Sequence, residues 1–103
     1  MADSLKVLGQ LDPAATTTTT LYTVPDKTQT TISSIVAANR TGSAITFRLS
    51  VHVAGAGADD KQFLFYDKSV AANDSFAIVI GITLNQEDVL KVHTSAVDMS
   101  FNV

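Results

Sequence analysis

The chain has 103 residues, with no cysteine or tryptophan, 46% hydrophobic residues and a formal net charge of −3. This length suits one domain and allows a hydrophobic core that folds without disulfides or a structural metal. No apolar run approaches the roughly 20 residues of a membrane-spanning helix, and the seven basic residues are scattered singly, so we expect neither a membrane nor a nucleic-acid partner.

The first fifteen residues are predicted to form an extended arm. Residues 1–15 contain Pro13 and show little periodicity beyond Leu5, Val7 and Leu11. Charged residues interrupt this stretch, so we do not expect it to be a secretory signal. The arm therefore leads into a domain that we place at residues 16–103.

Alternating apolar and polar residues predict strands through most of this domain. Ile45–Val53 is the clearest strand, with apolar residues at its odd positions and polar residues at its even ones. Phe76–Ile80 is apolar on both sides, which is typical of a strand covered on both faces. One helical turn is predicted over Leu84–Asp88, with Asn85 as its cap. The predicted strands are 5–8, 17–22, 30–39, 45–53, 62–66, 76–80, 89–94 and 97–103.

Turn signals separate these strands at intervals of eight to twelve residues. They lie at Val24–Lys27, which contains a proline, and at Asn39–Ser43 and Ala71–Asp74. Thirteen threonines and eleven valines also favour strands over helices. The predicted fold is therefore all-β, a single antiparallel β-sandwich of about eight short strands that is either Ig-like or jelly-roll-like.

Two asparagines match the acceptor pattern for N-glycosylation. Asn39 is followed by Arg-Thr and Asn73 by Asp-Ser. Because no secretory signal is expected, we interpret both as turn residues that tolerate a left-handed backbone.

The patterns of catalytic and metal sites are missing or incomplete. His52 and His93 lie on predicted polar strand faces, but a transition metal needs three or four ligands, and there is no cysteine. Ser, His and Asp occur without the Gly-x-Ser-x-Gly turn of an acyl-transfer enzyme. Gly55-Ala56-Gly57 lacks the third glycine and the helix of a dinucleotide loop. We therefore expect no catalytic residue, no metal and no cofactor.

The remaining candidates are residues for protein contacts. Phe63–Tyr66 is a run of four large apolar residues, two of which must point away from the core. Another sheet or the arm of the same chain could cover them, but exposed apolar patches usually mark interfaces. Arg40 and Arg48, the only arginines, could each bind a carboxylate with two hydrogen bonds. The candidate contact residues are Leu5, Val7, Leu11, Arg40, Arg48, Phe63 and Phe65.

Several short strings occur in a fixed order along the chain. They are LYTVP at 21–25, ISSIVAANR at 32–40, TFRL at 46–49, KQF at 61–63, NDS at 73–75, GITL at 81–84 and NQEDV at 85–89. In their order and spacing the chain resembles a group of small virion proteins of tailed bacteriophages. The resemblance extends over residues 6–102 and implies a structural protein without enzymatic activity.

The resemblance also implies where the protein acts. We expect it to assemble in the cytoplasm of the host bacterium and to reside in the virion, with the capsid surface as the favoured position. A small domain with an arm can bridge neighbouring capsomers through several contacts, so we expect a capsid decoration or cement protein. The alternatives are a tail, collar, baseplate or fibre component, and a carbohydrate-binding module for host recognition.

The expected partners are the major capsid protein or other virion proteins, and further copies of the chain itself, most simply as a trimer. The arm at 1–15 is expected to order on the shell. Exposed strand edges are expected to pair with strands of the shell protein.

Overall fold

The computed structural model describes residues 8–57 and 60–103, which form two antiparallel sheets of four strands each. The strands are β1 (Gln10–Leu11), β2 (Thr19–Thr23), β3 (Thr30–Asn39), β4 (Ile45–His52), β5 (Phe63–Val70), β6 (Ser75–Leu84), β7 (Val89–Thr94) and β8 (Met99–Asn102). Two 3₁₀ turns, Val53–Gly55 and Asp60–Gln62, lie between β4 and β5. The predicted all-β sandwich is confirmed.

The strand order decides between the two predicted sandwich types. The first sheet has the order β1-β8-β3-β6, and the second has the order β2-β7-β4-β5. Counted from the two ends of the chain, each strand pairs with its counterpart: β1 with β8, β2 with β7, β3 with β6, and β4 with β5. This is the wrapping of an eight-stranded jelly roll.

The core lies between the two sheets and is built from alternate residues of their strands. In β4, Ile45, Phe47 and Leu49 are buried, as the alternation predicts. The rings of Phe47 and Phe101 meet edge to face across the core, with their centroids 5.6 Å apart. Burying a side chain of this size stabilises the fold by roughly 1.5–3 kcal/mol.

The described part of the predicted arm belongs to the sandwich. Leu11 lies in β1 and pairs with β8, and both Leu8 and Leu11 pack against the core. The boundary predicted after residue 15 is therefore corrected, because β1 pairs with β8 and Leu8 and Leu11 pack against the core of the sandwich. Leu5 and Val7, the other predicted contact residues of the arm, lie outside the described residues.

The segment after β6 is a tight turn and not the predicted helical turn. The Asp88 N–H donates to the Asn85 carbonyl, and the Asp88 carboxylate accepts a hydrogen bond from the Asn85 N–H at 2.9 Å. Glu87 has a φ of +68°, which is incompatible with continuing a right-handed helix. The prediction for Leu84–Asp88 is wrong, since Asp88 rather than Asn85 supplies the capping side chain.

Strand β6 departs furthest from its sequence prediction. It is the outermost strand of the first sheet, and the side chain of Val79 is 86% exposed. Ala77 is also exposed. A sandwich has only two layers, so nothing within the described chain covers the outer side of this strand. The prediction that Phe76–Ile80 is covered on both faces is wrong for the single chain.

Candidate protein-contact surfaces

The consecutive apolar residues at the start of β5 are divided between the two faces of the second sheet. Leu49 lies opposite Phe65, whereas its neighbour Ser50 lies opposite Phe63, so Leu64 is an extra residue in the strand. Because of this bulge, Phe65 packs against the core, while Phe63 lies on the outer face. Strict alternation would have placed both rings on the same face.

On that outer face, Arg48 is held over the ring of Tyr66. The Arg48 Cζ atom lies 4.1 Å from the centre of the ring. Its Nε and Nη2 groups donate to the two carboxylate oxygens of Asp67 at 2.8 Å and 3.4 Å. The rings of Phe63 and Tyr66 meet edge to face, with their centroids 5.0 Å apart. These four side chains thus form one stacked and hydrogen-bonded cluster.

A second irregularity in β5 makes this cluster possible. Phe47 lies opposite Lys68 and Leu49 lies opposite Phe65, so Tyr66 and Asp67 together face the single residue Arg48. Asp67 has a φ of +53°, a left-handed conformation that Asp adopts more readily than most residues.

Arg48 and Asp67 shift each other's pKa. The hydrogen bond to Asp67 raises the pKa of the Arg48 guanidinium, and the same bond lowers the pKa of the Asp67 carboxyl. Both groups are exposed, so the pair adds little to stability. Two of the five guanidinium N–H groups bind Asp67, and no other described side chain accepts from the rest. Asp67 and the ring of Tyr66 together thus orient the whole guanidinium group.

Two residues of β7 extend the surface around Arg48. His93 lies opposite Arg48, and Lys91 lies opposite Ser50. Arg48 and Lys91 are the cations of this region, and Asp67, the one acidic residue within the described strands, offsets one of the two charges. The name "Arg48 face" is used below for Arg48, Phe63, Tyr66, Lys91 and His93.

His52 is buried beside this face, which corrects its predicted exposed position. It is 3% exposed. Hydrogen bonds of its ring connect β4 to the loop that follows. The Nδ1 atom lies 2.9 Å from the Ala56 carbonyl, to which it donates, and Nε2 lies 2.9 Å from the Ser50 hydroxyl, from which it accepts. Among residues 8–57 and 60–103, no three His, Asp or Glu side chains are grouped so that they could hold a metal.

The bond between Ser50 and His52 has the donor and acceptor pattern of a nucleophile and its base. Ser50 is 4% exposed, however, and the cavity beside it has a volume of about 40 Å³. Such a space holds a water molecule or two, whereas substrate sites are roughly 300–1,000 Å³. We therefore interpret the pair as a structural link between β4 and its loop.

The other predicted contact residues lie away from the Arg48 face. Arg40 follows the last residue of β3, in the first sheet, and its Nη2 is 2.9 Å from Asp12 and 3.8 Å from Asp98. This ion pair attaches the segment after β1 to the loop before β8. Leu11 and Phe65 pack against the core. Of the predicted contact residues that the structure describes, only Arg48 and Phe63 are brought together.

The first sheet has a chemically different outer face. None of its strands, β1, β3, β6 and β8, contains Lys, Arg, Asp or Glu. Its outward residues are Gln10, Thr31, Ser34, Val36, Ala38, Ser75, Ala77, Val79, Thr83, Ser100 and Asn102. The name "uncharged face" is used below for these residues. Every charged residue within a described strand thus belongs to the second sheet.

These surfaces are interpreted from their own chemistry, because comparison with family models, curated proteins and solved structures gave no match. In the described part of the chain, no helix has the length and apolar character to cross a membrane.

Proposed function

We propose that this protein is a non-enzymatic structural component of a bacteriophage virion, a decoration protein that binds the assembled capsid shell and stabilises it. The Arg48 face supports a role in protein binding most strongly, because it combines the exposed ring of Tyr66 with an oriented arginine. The resemblance of the ordered strings to those of small virion proteins of tailed phages supports the choice of particle.

The residue types of the Arg48 face are those that carry most of the binding energy in protein interfaces. Tyrosine and arginine are enriched among such residues, and the side chain of Tyr66 is 59% exposed. Asp67 and the ring of Tyr66 already fix the guanidinium of Arg48. Binding therefore costs less side-chain entropy than it would for a free arginine.

The charge distribution indicates what kind of protein surface would bind there. The chain as a whole has a net charge of −3, but on this face the two cations Arg48 and Lys91 outnumber the carboxylate of Asp67. A shell surface with exposed carboxylates would complement it. Such complementarity mainly increases the rate of association, and added salt reduces this increase by screening the charges.

Stabilisation of the shell follows from mass action. A protein that binds only the assembled lattice shifts the equilibrium towards that lattice. Many weak contacts repeated over a shell, each reinforced by its neighbours, give a large combined effect.

The jelly-roll fold is compatible with this proposal but does not select it, since viral capsid and lectin domains share the architecture. Carbohydrate binding usually needs a free aromatic ring on which a sugar can stack. Arg48 already covers one face of Tyr66, and the chain has no tryptophan. The carbohydrate-binding alternative is therefore less favoured than protein binding.

The proposal is tested by sedimenting expanded capsid shells that lack this protein with added purified chain. The wild-type chain should co-sediment, and Arg48→Ala should weaken binding about tenfold or more, equivalent to about 1.4 kcal/mol. Arg40→Ala is the matched control, since it also removes an ion-paired arginine, but on the first sheet. It should change affinity less than about twofold.

Two results would count against the proposal in different ways. Absence of wild-type binding to shells would reject decoration. Equal binding by wild type and Arg48→Ala would show that the shell contacts another surface.

A further inference from the structure

We propose that a second copy of this chain pairs with the outer edge of β6 along Ser75–Val79, joining the first sheets of two copies into one antiparallel sheet. This contact lies on the other sheet from the Arg48 face and does not depend on binding to a shell.

The four edge strands of the sandwich differ in how well they are protected. Strand β1 has two residues, and β2 has five with an irregularity between Thr20 and Tyr22. Strand β5 carries Asp67 and Lys68 and is irregular at two places. Short length, bulges and charges are the features that prevent edge-to-edge pairing.

Strand β6 has the least protection of the four. It is ten residues long and contains no charged residue and no proline. Its pairing with β3 is regular from Ser75 to Val79, and no described segment pairs with its other edge. Alternate residues of this regular five-residue segment therefore present unpaired N–H and C=O groups to a partner.

The position of a bulge sets where this pairing ends. Ile32 lies opposite Ile82, and Ser34 lies opposite Val79, so one residue of β3 faces two of β6. Gly81 has a φ of +64°, which bends the strand at this point. The turn at residues 71–74 bounds the other end of the regular segment.

A second copy is the occupant that the charges favour. In a two-fold pairing, each residue near the axis approaches the same residue of the other copy, so any charge there would face its own sign. Strand β6 brings no charge of its own to this edge, although the ammonium of Lys68 in β5 lies 4.9 Å from the centre of the Phe76 ring. The paired strands themselves therefore place no like charges opposite each other.

The side chains also fit one register. With the two-fold axis at Ala77, that residue faces its own copy, Ser75 faces Val79, and Phe76 faces Ile78. Phe76 and Ile78 are only half-buried in the single chain. Pairing an aromatic with a β-branched residue across strands is favourable, and the symmetry forms this pair twice. The exposed Val79 gains a neighbour on the outer face.

This arrangement predicts a dimer, which differs from the trimer expected from the sequence. The mass of the purified full-length chain, measured by sedimentation equilibrium over a range of concentrations, distinguishes the two. We expect a reversible monomer–dimer equilibrium.

Two lysine variants separate edge pairing from other modes of association. Ala77 and Ser34 are both exposed on the uncharged face, but Ser34 lies one strand further from the edge. Ala77→Lys should weaken the dimer at least tenfold, and mixing it with Ala77→Glu should restore association. Ser34→Lys, the matched control, should still dimerise.

Cysteine cross-linking tests the register independently, because the chain has no cysteine of its own. Facing residues of an antiparallel pair lie roughly 4.5–5.5 Å apart between Cα atoms, within reach of a disulfide. Under mild oxidation by diamide, Ala77→Cys should form a covalent dimer rapidly. Ser75→Cys and Val79→Cys should cross-link when mixed, and Ser34→Cys should not.

Several outcomes would overturn this inference. They are a monomer at all attainable concentrations, a trimer, dissociation caused equally by Ser34→Lys, or cross-linking of Ser34→Cys as fast as that of Ala77→Cys. Equal dissociation by both lysines would indicate stacked faces rather than paired edges.

Discussion

The Arg48 side chain owes its orientation to two contacts of different kinds. Asp67 accepts two hydrogen bonds from the guanidinium, and the guanidinium stacks on the ring of Tyr66. Because the ion pair is exposed, it adds little to the free energy of unfolding. Its effect is to hold the guanidinium in one orientation. Arg48 and Asp67 therefore act as one unit in any contact made by the Arg48 face.

The lowered pKa of Asp67 gives a test of this unit. The carboxylate keeps its charge in the folded chain to a pH below its ordinary pKa of about 3.9. Any stability from the pair is present above the unfolded-state pKa and is lost as the pH falls through the lowered value. In Arg48→Ala the pKa of Asp67 should rise towards its ordinary value, as followed by NMR of the side-chain carboxyl carbon. An unchanged pKa would show that Arg48 does not hold this carboxylate.

Asn39 illustrates a residue whose role the sequence pattern misidentified. It ends β3, as the predicted strand 30–39 does, but it was interpreted as a turn residue in an exposed loop and is only 3% exposed. Its amide nitrogen donates to the carbonyls of Ser43 and Val70, and its oxygen accepts from the N–H of Thr41. The side chain thus connects β3 to the loop and to the end of β5.

Replacing Asn39 should therefore destabilise the fold. Asn39→Ala leaves buried backbone groups without partners, which should lower the free energy of unfolding by about 1–3 kcal/mol in urea denaturation. Asn85→Ala is the control, because that amide bonds only the exposed Gln29 side chain, and its effect should stay within about 0.5 kcal/mol. Equal stability of wild type and Asn39→Ala would contradict the role assigned to this amide.

At the scale of strands, local patterns predict regular elements well. Strand β4 follows its alternation as far as Leu49, because Ile45, Phe47 and Leu49 face a single core. Beyond it, Ser50 and His52 are buried on the other face by the loop contacts of His52. The bulges of β5 depend on its pairing with β4, a long-range interaction that no local pattern contains. The turn after β6 is likewise fixed by Asp88, whose carboxylate also accepts from the N–H of Ala54, on a distant segment.

The candidate site was only partly predictable for the same reason. Arg48 and Phe63 stand out in the sequence as an arginine and part of an apolar run. Lys91 and His93 join them only through the register between β4 and β7. The alternation of polar residues in β7 was a usable signal, but it does not show which strand lies beside it.

At the scale of the whole molecule, the two proposed contacts lie on different sheets: self-association on the first sheet and shell binding on the second. The first sheet offers an uncharged surface with a free edge, and the second offers the positively charged Arg48 face. Edge pairing of two copies in one sheet would direct both Arg48 faces to the same side. A dimer would then bind a shell at two points, and the second contact would form at a high effective concentration.

The copy number of this chain relative to the major shell protein tests the central claim most directly. It is measured by quantitative mass spectrometry of purified particles of a phage proposed to encode the chain. Decoration predicts a copy number close to that of the shell protein. A number equal to one tail ring or a few fibres would instead place the chain in the tail, and its absence from particles would contradict a virion role altogether.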